Sequence, residues 1–404
     1  MGKLAICDFV CQGGSHETFN AAIIYALSQI YNNWDICLFA HESLIQNLQV
    51  YWKNKNILLR NVTFESIPVQ NTGSEKKRTD IFDVIVNRIE NFFEKNDKIC
   101  VYVTAFLPLH YFRLLTRNWF ICYTFHGGLE TLLTPVRSGF SFSVLRYCIS
   151  HPVKAVSSFI EAMWEKKLLH KYNYKRIFDC NNLSHFSFIV LSKGILSNLD
   201  SILRLPSNLY CIEHPVIYSN SFTRRYNGFP VFAIFGYGAN NNLFVDLARL
   251  LKSCESPYEL RNIGMRTYLD DSKNPNVNQI NRGFLSREEM EMYAEDVDFF
   301  LNFYTSDMYR LTCSGSIVEA ISYEKPVIYI SNDCYNSFNE GYSFGIECND
   351  VVAMSEIIST IIDNWSIYKE TEYKTLVENV KRKKTDMEIK KMLRAIAVAT
   401  HQFQ

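Results

Sequence analysis

Short apolar runs, rich in β-branched and aromatic residues, alternate along the whole chain with patterns typical of helices. The runs are continuously apolar, which is typical of strands buried on both faces of a parallel sheet. We therefore predict an α/β fold with doubly wound sheets. The predicted strands are "LAICDFV", "WDICLFA", "KICVYVTAF", "WFICYTF", "FSFIVLS", "NLYCIE", "PVFAIFGYG", "YELRNIGM", "VDFFLNFY" and "PVIYIS", and helical patterns include 79–95, 242–252, 286–295 and 351–365.

The alternation breaks at "EHPVIYSNSFTRRYNGFP", residues 213–230, which is polar and contains proline and glycine. A new series of strands begins directly after it. A chain of 404 residues is too long for one ordinary core, so two Rossmann-like halves of similar size are expected. Such sheets bind ligands at the carboxyl ends of their strands, so a cleft between the halves would hold two ligands face to face.

The composition excludes several classes of protein. The 42 basic residues balance the 42 acidic ones, so no overall field favours a nucleic-acid partner. The twelve cysteines are scattered, and the spacing of Cys7 and Cys11 fits neither a zinc site nor a redox motif. No run approaches the roughly 18 apolar residues of a membrane span, and no signal-peptide cleavage region follows the N-terminus. We expect a cytoplasmic protein with reduced thiols and no metal, soluble or peripheral to the inner face of the cytoplasmic membrane.

A small polar cluster, Ser314, Gly315 and Ser316, lies where a loop after a strand becomes a helix. The first amides of such a helix are unpaired and carry partial positive charge, so a phosphate can bind there, and Gly315 lets it approach the backbone. Glu319 follows one turn later, where its carboxylate could accept hydrogen bonds from ribose hydroxyls. The alternative is a capping box in which Ser316 and Glu319 satisfy the helix start.

A glycine pair, Gly13 and Gly14, directly follows the first strand and precedes a helix. It permits a tight turn whose amides face the cleft between the two halves. His16 and Glu17 come next and are candidates for the same cleft. The alternative is a surface histidine and a first-turn glutamate favoured by the helix dipole.

His126 ends another apolar strand and is followed by Gly127 and Gly128. This order places His126 at the carboxyl tip of the strand, in the cleft. A neutral imidazole there can donate or accept one hydrogen bond, or take a proton from a hydroxyl group. The alternative is a loop histidine with a purely structural role.

The segment "SGSIVEAISYEKPVIYIS", preceded by "GFLSREEMEMYAEDVDFFLNFYTS", resembles the donor-nucleotide half of GT-B glycosyltransferases. The likeness is strongest to the bacterial family-four-like (group 1) enzymes of surface polysaccharide biosynthesis. It implies that Glu319 holds the nucleotide ribose and that Gly315 and Ser316 lie by the diphosphate. It also implies that the strand ending at Gly236 is the first strand of the donor half. The glycine-rich first loop would lie near the acceptor and the donor phosphates, and His126 would contact the donor sugar or the reacting centre.

Three positions depart from the family pattern. Leu311 stands where the family commonly has another glutamate, and Tyr237 and Asn242 stand where it has a basic pair. A diphosphate leaving group still needs positive charge. Three arginines are candidates to supply it: Arg266, Arg282 and Arg310.

The resemblance implies an acceptor-binding domain over 1–215, a donor-binding domain over 216–385, and a last helix over 386–404 that crosses back to the first domain. The implied enzyme is a metal-independent hexosyltransferase that moves sugar from UDP or GDP to a hydroxyl of a lipid-linked or surface polysaccharide. It needs no cofactor, because the nucleotide sugar is a substrate. In a retaining reaction His126 would orient the sugar. In an inverting reaction the proton acceptor would be His16, Glu17 or His126.

Residues 135–176 carry eight basic and two acidic side chains, interleaved with aromatic ones. This composition suits contact with an anionic membrane that presents a lipid-linked acceptor. A solvated helical face is the alternative. Two other functions also remain open, a nucleotide-sugar epimerase on the same scaffold and a non-catalytic GT-B subunit.

Overall fold

The structure, a computed structural model, describes residues 2–14, 16–68, 75–133, 174–179, 184–218, 228–235, 241–263, 274–280, 285 and 287–404. Thirteen strands, β1 to β13, lie in these ranges. In chain order they are Lys3–Asp8, Asp35–Ala40, Val62–Ser66, Cys100–Ala105, Phe120–Phe125, Phe186–Val190, Leu209–Cys211, Val231–Phe235, Glu259–Ile263, Val277–Gln279, Phe299–Asn302, Val327–Ile330 and Gly345–Cys348.

The described α-helices, numbered α1 to α14, fill most of the connections between strands. In chain order they are Glu17–Ile30, Glu42–Asn54, Glu75–Phe92, Pro108–Leu114, Tyr174–Asp179, Lys193–Asp200, Asn241–Leu250, Arg287–Ala294, Gly315–Ser322, Asp333–Asn339, Val351–Asp363, Trp365–Tyr368, Glu372–Asp386 and Ile389–Ala399. Short 3₁₀ turns follow at Leu129–Leu132, Leu251–Ser253 and His401–Phe403.

The strands form two separate sheets. The first has the order β3-β2-β1-β4-β5-β6-β7 and the second the order β10-β9-β8-β11-β12-β13. Neighbouring described strands pair in parallel throughout. The α/β class and the doubly wound parallel sheets predicted from the sequence are therefore confirmed.

Each sheet reverses its strand order at one point, between β1 and β4 in the first and between β8 and β11 in the second. Ligands of doubly wound sheets bind outside the carboxyl ends of the strands at such a reversal. The central strands are buried on both faces, as in β4 and β8, so they hold their ends rigidly. The loops after β1 and β11 are consequently the places to look for a site.

The end of the chain packs against the first sheet. Helix α14 lies on α1, and the Tyr31 hydroxyl donates to Thr400 at 2.7 Å to its Oγ1. The Ser187 hydroxyl, on β6, donates to the carbonyl of Ala399 at 2.7 Å. The chain thus enters the second sheet after β7 and returns to the first one at its end.

The two chain crossings between the sheets lie side by side. Val216 on the outgoing crossing and Glu388 on the returning one form a parallel β-bridge. The buried Lys383 adds an ion pair to Glu213, with its Nζ 2.9 Å from the carboxylate. No helix within the described ranges is long and apolar enough to cross a membrane. The ten cysteines in those ranges are free thiols.

Candidate active site

The loop after β1 is held by a buried carboxylate at the strand end. Asp8 accepts hydrogen bonds from the amides of Val10 at 3.0 Å and Cys11 at 2.8 Å. Its second oxygen accepts from the Asn20 side chain at 2.9 Å and the Thr104 hydroxyl at 3.0 Å. These bonds fix the loop to both α1 and β4, so the residues that follow it have a defined position.

The glycine pair forms the tight turn predicted for it. Gly13 adopts a left-handed conformation with φ 57°, which glycine adopts without strain. Its amide, however, donates to Ser43 Oγ at 2.9 Å, so this amide is used within the protein instead of being directed at a ligand. Gly14 and Glu17 line a cavity between the two domains.

Three histidines from distant parts of the sequence meet at this loop. The His16 ring stacks on the His126 ring, with centroids 3.6 Å apart and planes 15° apart. The His214 ring meets His126 edge to face at 5.4 Å, and Phe19 contacts His126 at 4.5 Å. The structure therefore brings His16 and His126 together and adds His214, which directly precedes the outgoing crossing.

The surroundings of these histidines favour their neutral form by lowering the pKa of each ring. It lowers the pKa of His126 well below 6.5, and the neighbouring His16 and His214 lower it further. Burial also lowers the pKa of His214, to about 4, with a smaller contribution from His16. The pKa of His16 is lowered by its packed surroundings, although part of this residue remains exposed at the edge of the cleft.

The His126 Nδ1 atom is buried and has no hydrogen-bond partner among the described residues. A buried N–H without a partner is rarer in proteins than an acceptor without one, so the neutral ring should carry its proton on Nε2. His126, which is only partly buried, can then act as a hydrogen-bond donor through Nε2.

The helix start predicted in the second half is α9. Ser314 is its N-cap residue, and its side chain makes no capping bond. Ser316 lies inside the helix, where its hydroxyl is 2.8 Å from both the Ser314 and the Tyr335 hydroxyls. The alternative of a capping box between Ser316 and Glu319 is therefore wrong, because Ser316 is not the N-cap.

The start of α9 is open. Gly315 is exposed, and a methyl group added to it would meet no heavy atom within 4 Å. Glu319 is partly buried one turn further on, and its charge contributes to the raised pKa of Tyr218, for which burial is the main cause. Arg310 precedes the helix and pairs with Asp333, with Nε 3.4 Å from the carboxylate.

A hydrogen bond across the domain boundary joins the two candidate regions. Glu130 lies in the 3₁₀ turn that follows His126, and its Oε1 accepts from the amide of Leu311 at 2.6 Å. Leu311 lies on the loop between β11 and α9. The turn that follows His126 is therefore in direct contact with the loop that leads into α9.

A cavity of about 1390 Å³ opens beside this region, between the first two helices of one domain and α8 of the other. It extends from the glycine turn to both chain crossings. Its walls carry lysines, glutamates, asparagines and tyrosines in mixture. The charged lining residues are Glu17, Lys55, Glu288, Glu291, Glu324, Lys381, Lys384, Glu388 and Lys390.

Several predicted positions lie outside the described residues. They are Gly236, Tyr237, Arg266, Arg282 and the part of the basic segment up to residue 173. Within the described part of the chain, no three His, Cys, Asp or Glu side chains are grouped so that they could hold a metal ion.

Three residues of the site were not identified from the sequence, namely Asp8, Glu130 and His214. Asp8 ends a predicted strand, and Glu130 follows the predicted His126 tip by four residues, so their positions gave a weak signal. His214 lies in the segment interpreted as a linker. Nothing in the local sequence indicates its contact with a ring 88 positions away.

Comparison with known proteins identifies the architecture. No protein-family model matches the sequence, and a search of characterised proteins finds no match by sequence. Solved structures with two facing Rossmann-like domains match over nearly the whole chain. A glycosyltransferase from Rickettsia africae superposes with a TM-score of 0.61 at 12% identity, over 100% of this chain and 98% of that one.

The chain has the GT-B fold. HepE from Anabaena, in complex with UDP-glucose, has a TM-score of 0.60 at 13% identity over 98% of this chain and 99% of its own. WaaG, a glycosyltransferase involved in lipopolysaccharide biosynthesis, has a TM-score of 0.56 at 11% identity over 98% of each chain. The predicted GT-B architecture is confirmed.

Proposed function

We propose that the protein is a glycosyltransferase that moves a sugar from a nucleoside diphosphate to a hydroxyl group of a glycan. The observation that carries this proposal is the open start of α9, which lies across the domain boundary from the His126 loop. Unpaired amides at a helix start bind phosphate groups. HepE, which has the same fold, is known in complex with UDP-glucose, so a UDP-sugar is our first choice of donor and a GDP-sugar the second.

The proposed donor would place its diphosphate at the α9 start and its ribose near Glu319. The helix start offers partial positive charge, and Arg310 lies five residues before Gly315. These groups could stabilise the leaving diphosphate without a metal ion. The ribose hydroxyls would donate to the Glu319 carboxylate.

His126 would orient the transferred sugar by donating a hydrogen bond from Nε2. Its pKa, well below 6.5 because of burial, makes it a weak base at neutral pH. This property favours a retaining reaction. The acceptor oxygen would bond to the anomeric carbon as the bond from that carbon to the diphosphate breaks, and the acceptor proton would pass to the leaving phosphate oxygen.

The acceptor would enter through the interdomain cavity, which Gly14 and Glu17 line at the end nearest the histidines. Mixed charged, amide and tyrosine walls suit a hydroxyl-rich glycan. A lipid-linked or surface polysaccharide acceptor fits this chemistry, and the basic segment 135–176 would bring the enzyme to an anionic membrane.

Donor binding is tested by thermal shift with UDP, GDP, CMP and their sugars. A ligand at about a hundred times its Kd stabilises the folded protein by about 2.7 kcal/mol. We expect UDP and UDP-sugars to raise Tm, and Glu319→Ala to remove most of the shift. Glu356→Ala, on the exposed face of α11, is the matched control and should behave like the wild type. A panel without any nucleotide-dependent shift would refute the proposal.

Transfer is tested with the donor that binds, in the presence and absence of a glycan acceptor. His126→Ala should lower turnover at least about a hundredfold, because it removes a polar group that contacts the reacting sugar. His401→Ala, at an exposed position near the chain end, is its control. Conversion of a UDP-sugar into an epimer without acceptor would indicate an epimerase instead.

A further inference from the structure

Glu130 links the two domains at the point where the proposed chemistry would occur. It lies four residues after His126, in the turn Leu129–Leu132. Its Oε1 accepts from the amide of Leu311, which is fully buried and belongs to the other domain. Leu311 lies three residues before the Ser314 N-cap. One side chain thus connects the histidine loop of one domain to the entry of α9 in the other.

The Glu130 carboxylate is held in this place by several groups. Burial raises its pKa, while the Leu311 amide, Thr312 and the Arg310 guanidinium favour its charged form. A partly buried carboxylate needs such partners, because burying a charge without them is costly. The contact is therefore a specific one, with the donors arranged around the carboxylate.

A second contact holds the same loop from the first domain. Asn198, on α6, donates to the carbonyl of Arg310 at 2.9 Å and to Asp333 Oδ2 at 3.1 Å. Asn198 reaches the same loop one residue before Leu311, but it lies on α6 and is not part of the loop that follows His126. Asn198 therefore offers a comparison, because it joins the domains without being part of the histidine loop.

The histidine loop has anchors on both of its sides, and the fully buried Leu129 fixes it to its own domain. Gly127 and Gly128 follow the histidine directly, and glycines give a loop conformational freedom. Gly128 adopts φ 82°, in the left-handed region. On one side the loop is fixed by β5, and on the other side the bond from Glu130 to Leu311 fixes it relative to α9.

We propose that Glu130 is a positioning residue, whose carboxylate holds the entry of α9 in register with the His126 loop. This inference rests on the proposed function, in which the diphosphate at the start of α9 and the sugar at His126 belong to one donor molecule. The start of α9 and the His126 loop must then keep a fixed distance from each other. Glu130 acts through the backbone of Leu311 and makes no contact with the reacting atoms in this role.

The test compares Glu130→Ala, Glu130→Gln and Asn198→Ala in the full-length protein. Glutamine keeps an oxygen that can accept from the Leu311 amide, whereas alanine does not. Hydrogen exchange of peptides covering residues 308–314 measures the contact itself, independently of any reaction. Kinetics with the UDP-sugar that binds best then separate kcat from KM.

We expect Glu130→Ala to speed exchange of these peptides and to lower kcat about tenfold or more, the range for losing a hydrogen bond to a charged group. KM for the donor should change less, because the α9 start remains. Glu130→Gln should restore most of the exchange protection and most of kcat. Asn198→Ala should speed exchange of the same peptides with a smaller effect on kcat, since it does not connect to the histidine loop.

Wild-type exchange in Glu130→Ala would overturn the inference, as would faster exchange with unchanged kcat. A glutamine variant as impaired as the alanine variant would also overturn it, because the charge would then act directly. Faster exchange in Glu130→Ala, in a protein whose wild type binds no nucleotide sugar, would support the contact between the domains and refute the proposed function.

Discussion

Replacing His214 by glutamine should make the stability of the folded protein less sensitive to acid. His214 is buried beside His126, and its pKa is about 4 in the folded protein in place of the ordinary 6.5, with burial the main cause. The unfolded chain therefore takes up a proton on this ring near pH 6.5, whereas the folded chain takes it up only near pH 4. Because the unfolded state binds more protons in this window, stability falls as the pH falls through it.

The size of the effect follows from the two pKa values. A shift of one pKa unit corresponds to about 1.4 kcal/mol, so the full loss is about 3 kcal/mol below pH 4. Near pH 5 the loss is about 2 kcal/mol, because most of the unfolded chains are then protonated at His214 and most folded ones are not. Near pH 7 both states are mostly neutral at this residue, so almost no loss occurs.

Urea unfolding near pH 7 and near pH 5 measures this difference. Between the two conditions the wild type should lose about 2 kcal/mol more stability than His214→Gln, because glutamine cannot take up the proton. His401→Gln, at an exposed histidine, should follow the wild type. Equal losses in the wild type and His214→Gln would refute the reasoning that burial holds His214 neutral.

Three further changes test the packing around the cleft. Gly128→Ala should lower the free energy of unfolding by about 1–3 kcal/mol, because the backbone there has φ 82° and the added methyl group would lie 2.5 Å from a tyrosine hydroxyl. Gly127→Ala is the control, because a methyl group there meets open space and should cost little stability. Thermal unfolding of both variants measures the difference. Glu213→Ala should cost about 3 kcal/mol in urea unfolding because it leaves the buried ammonium of Lys383 unpaired. Tyr31→Phe should cost about 1–3 kcal/mol and increase proteolysis of the chain end that this hydroxyl holds.

Each of these changes has an outcome that contradicts its reasoning. Equal unfolding temperatures for the two glycine variants would mean that the loop can shift away from the tyrosine. A Glu213→Ala protein as stable as the wild type would mean that water reaches Lys383. Unchanged proteolysis of Tyr31→Phe would mean that apolar contacts alone hold the last helix.

The central strands were predictable from the sequence, and most edge strands were not. All ten predicted strands are present, because strands covered by helices on both faces need continuous apolar runs. The three missed strands, Val62–Ser66, Val277–Gln279 and Gly345–Cys348, lie at sheet edges. Their side chains are partly exposed, so polar residues interrupt the apolar run that would have revealed them.

The site was predictable only as far as its parts are local. A histidine at a strand tip and a Ser-Gly-Ser helix start can be recognised from neighbouring residues, and the structure places His126 directly after β5 and Gly315 at the exposed start of α9. The stacking of His16 on His126 and the bond from Glu130 to Leu311 join residues more than a hundred positions apart. Such pairs depend on how the two domains meet, which local patterns do not encode.

The adjacent crossings at Val216 and Glu388 have a consequence for how this molecule moves. The β-bridge joins the backbones of the two crossings, so neither crossing can twist independently of the other. Rotation of one domain relative to the other should therefore bend both crossings together. A covalent link between these backbones, such as an engineered disulfide, would restrict the relative movement of the two domains at the wall of the cavity that both crossings line.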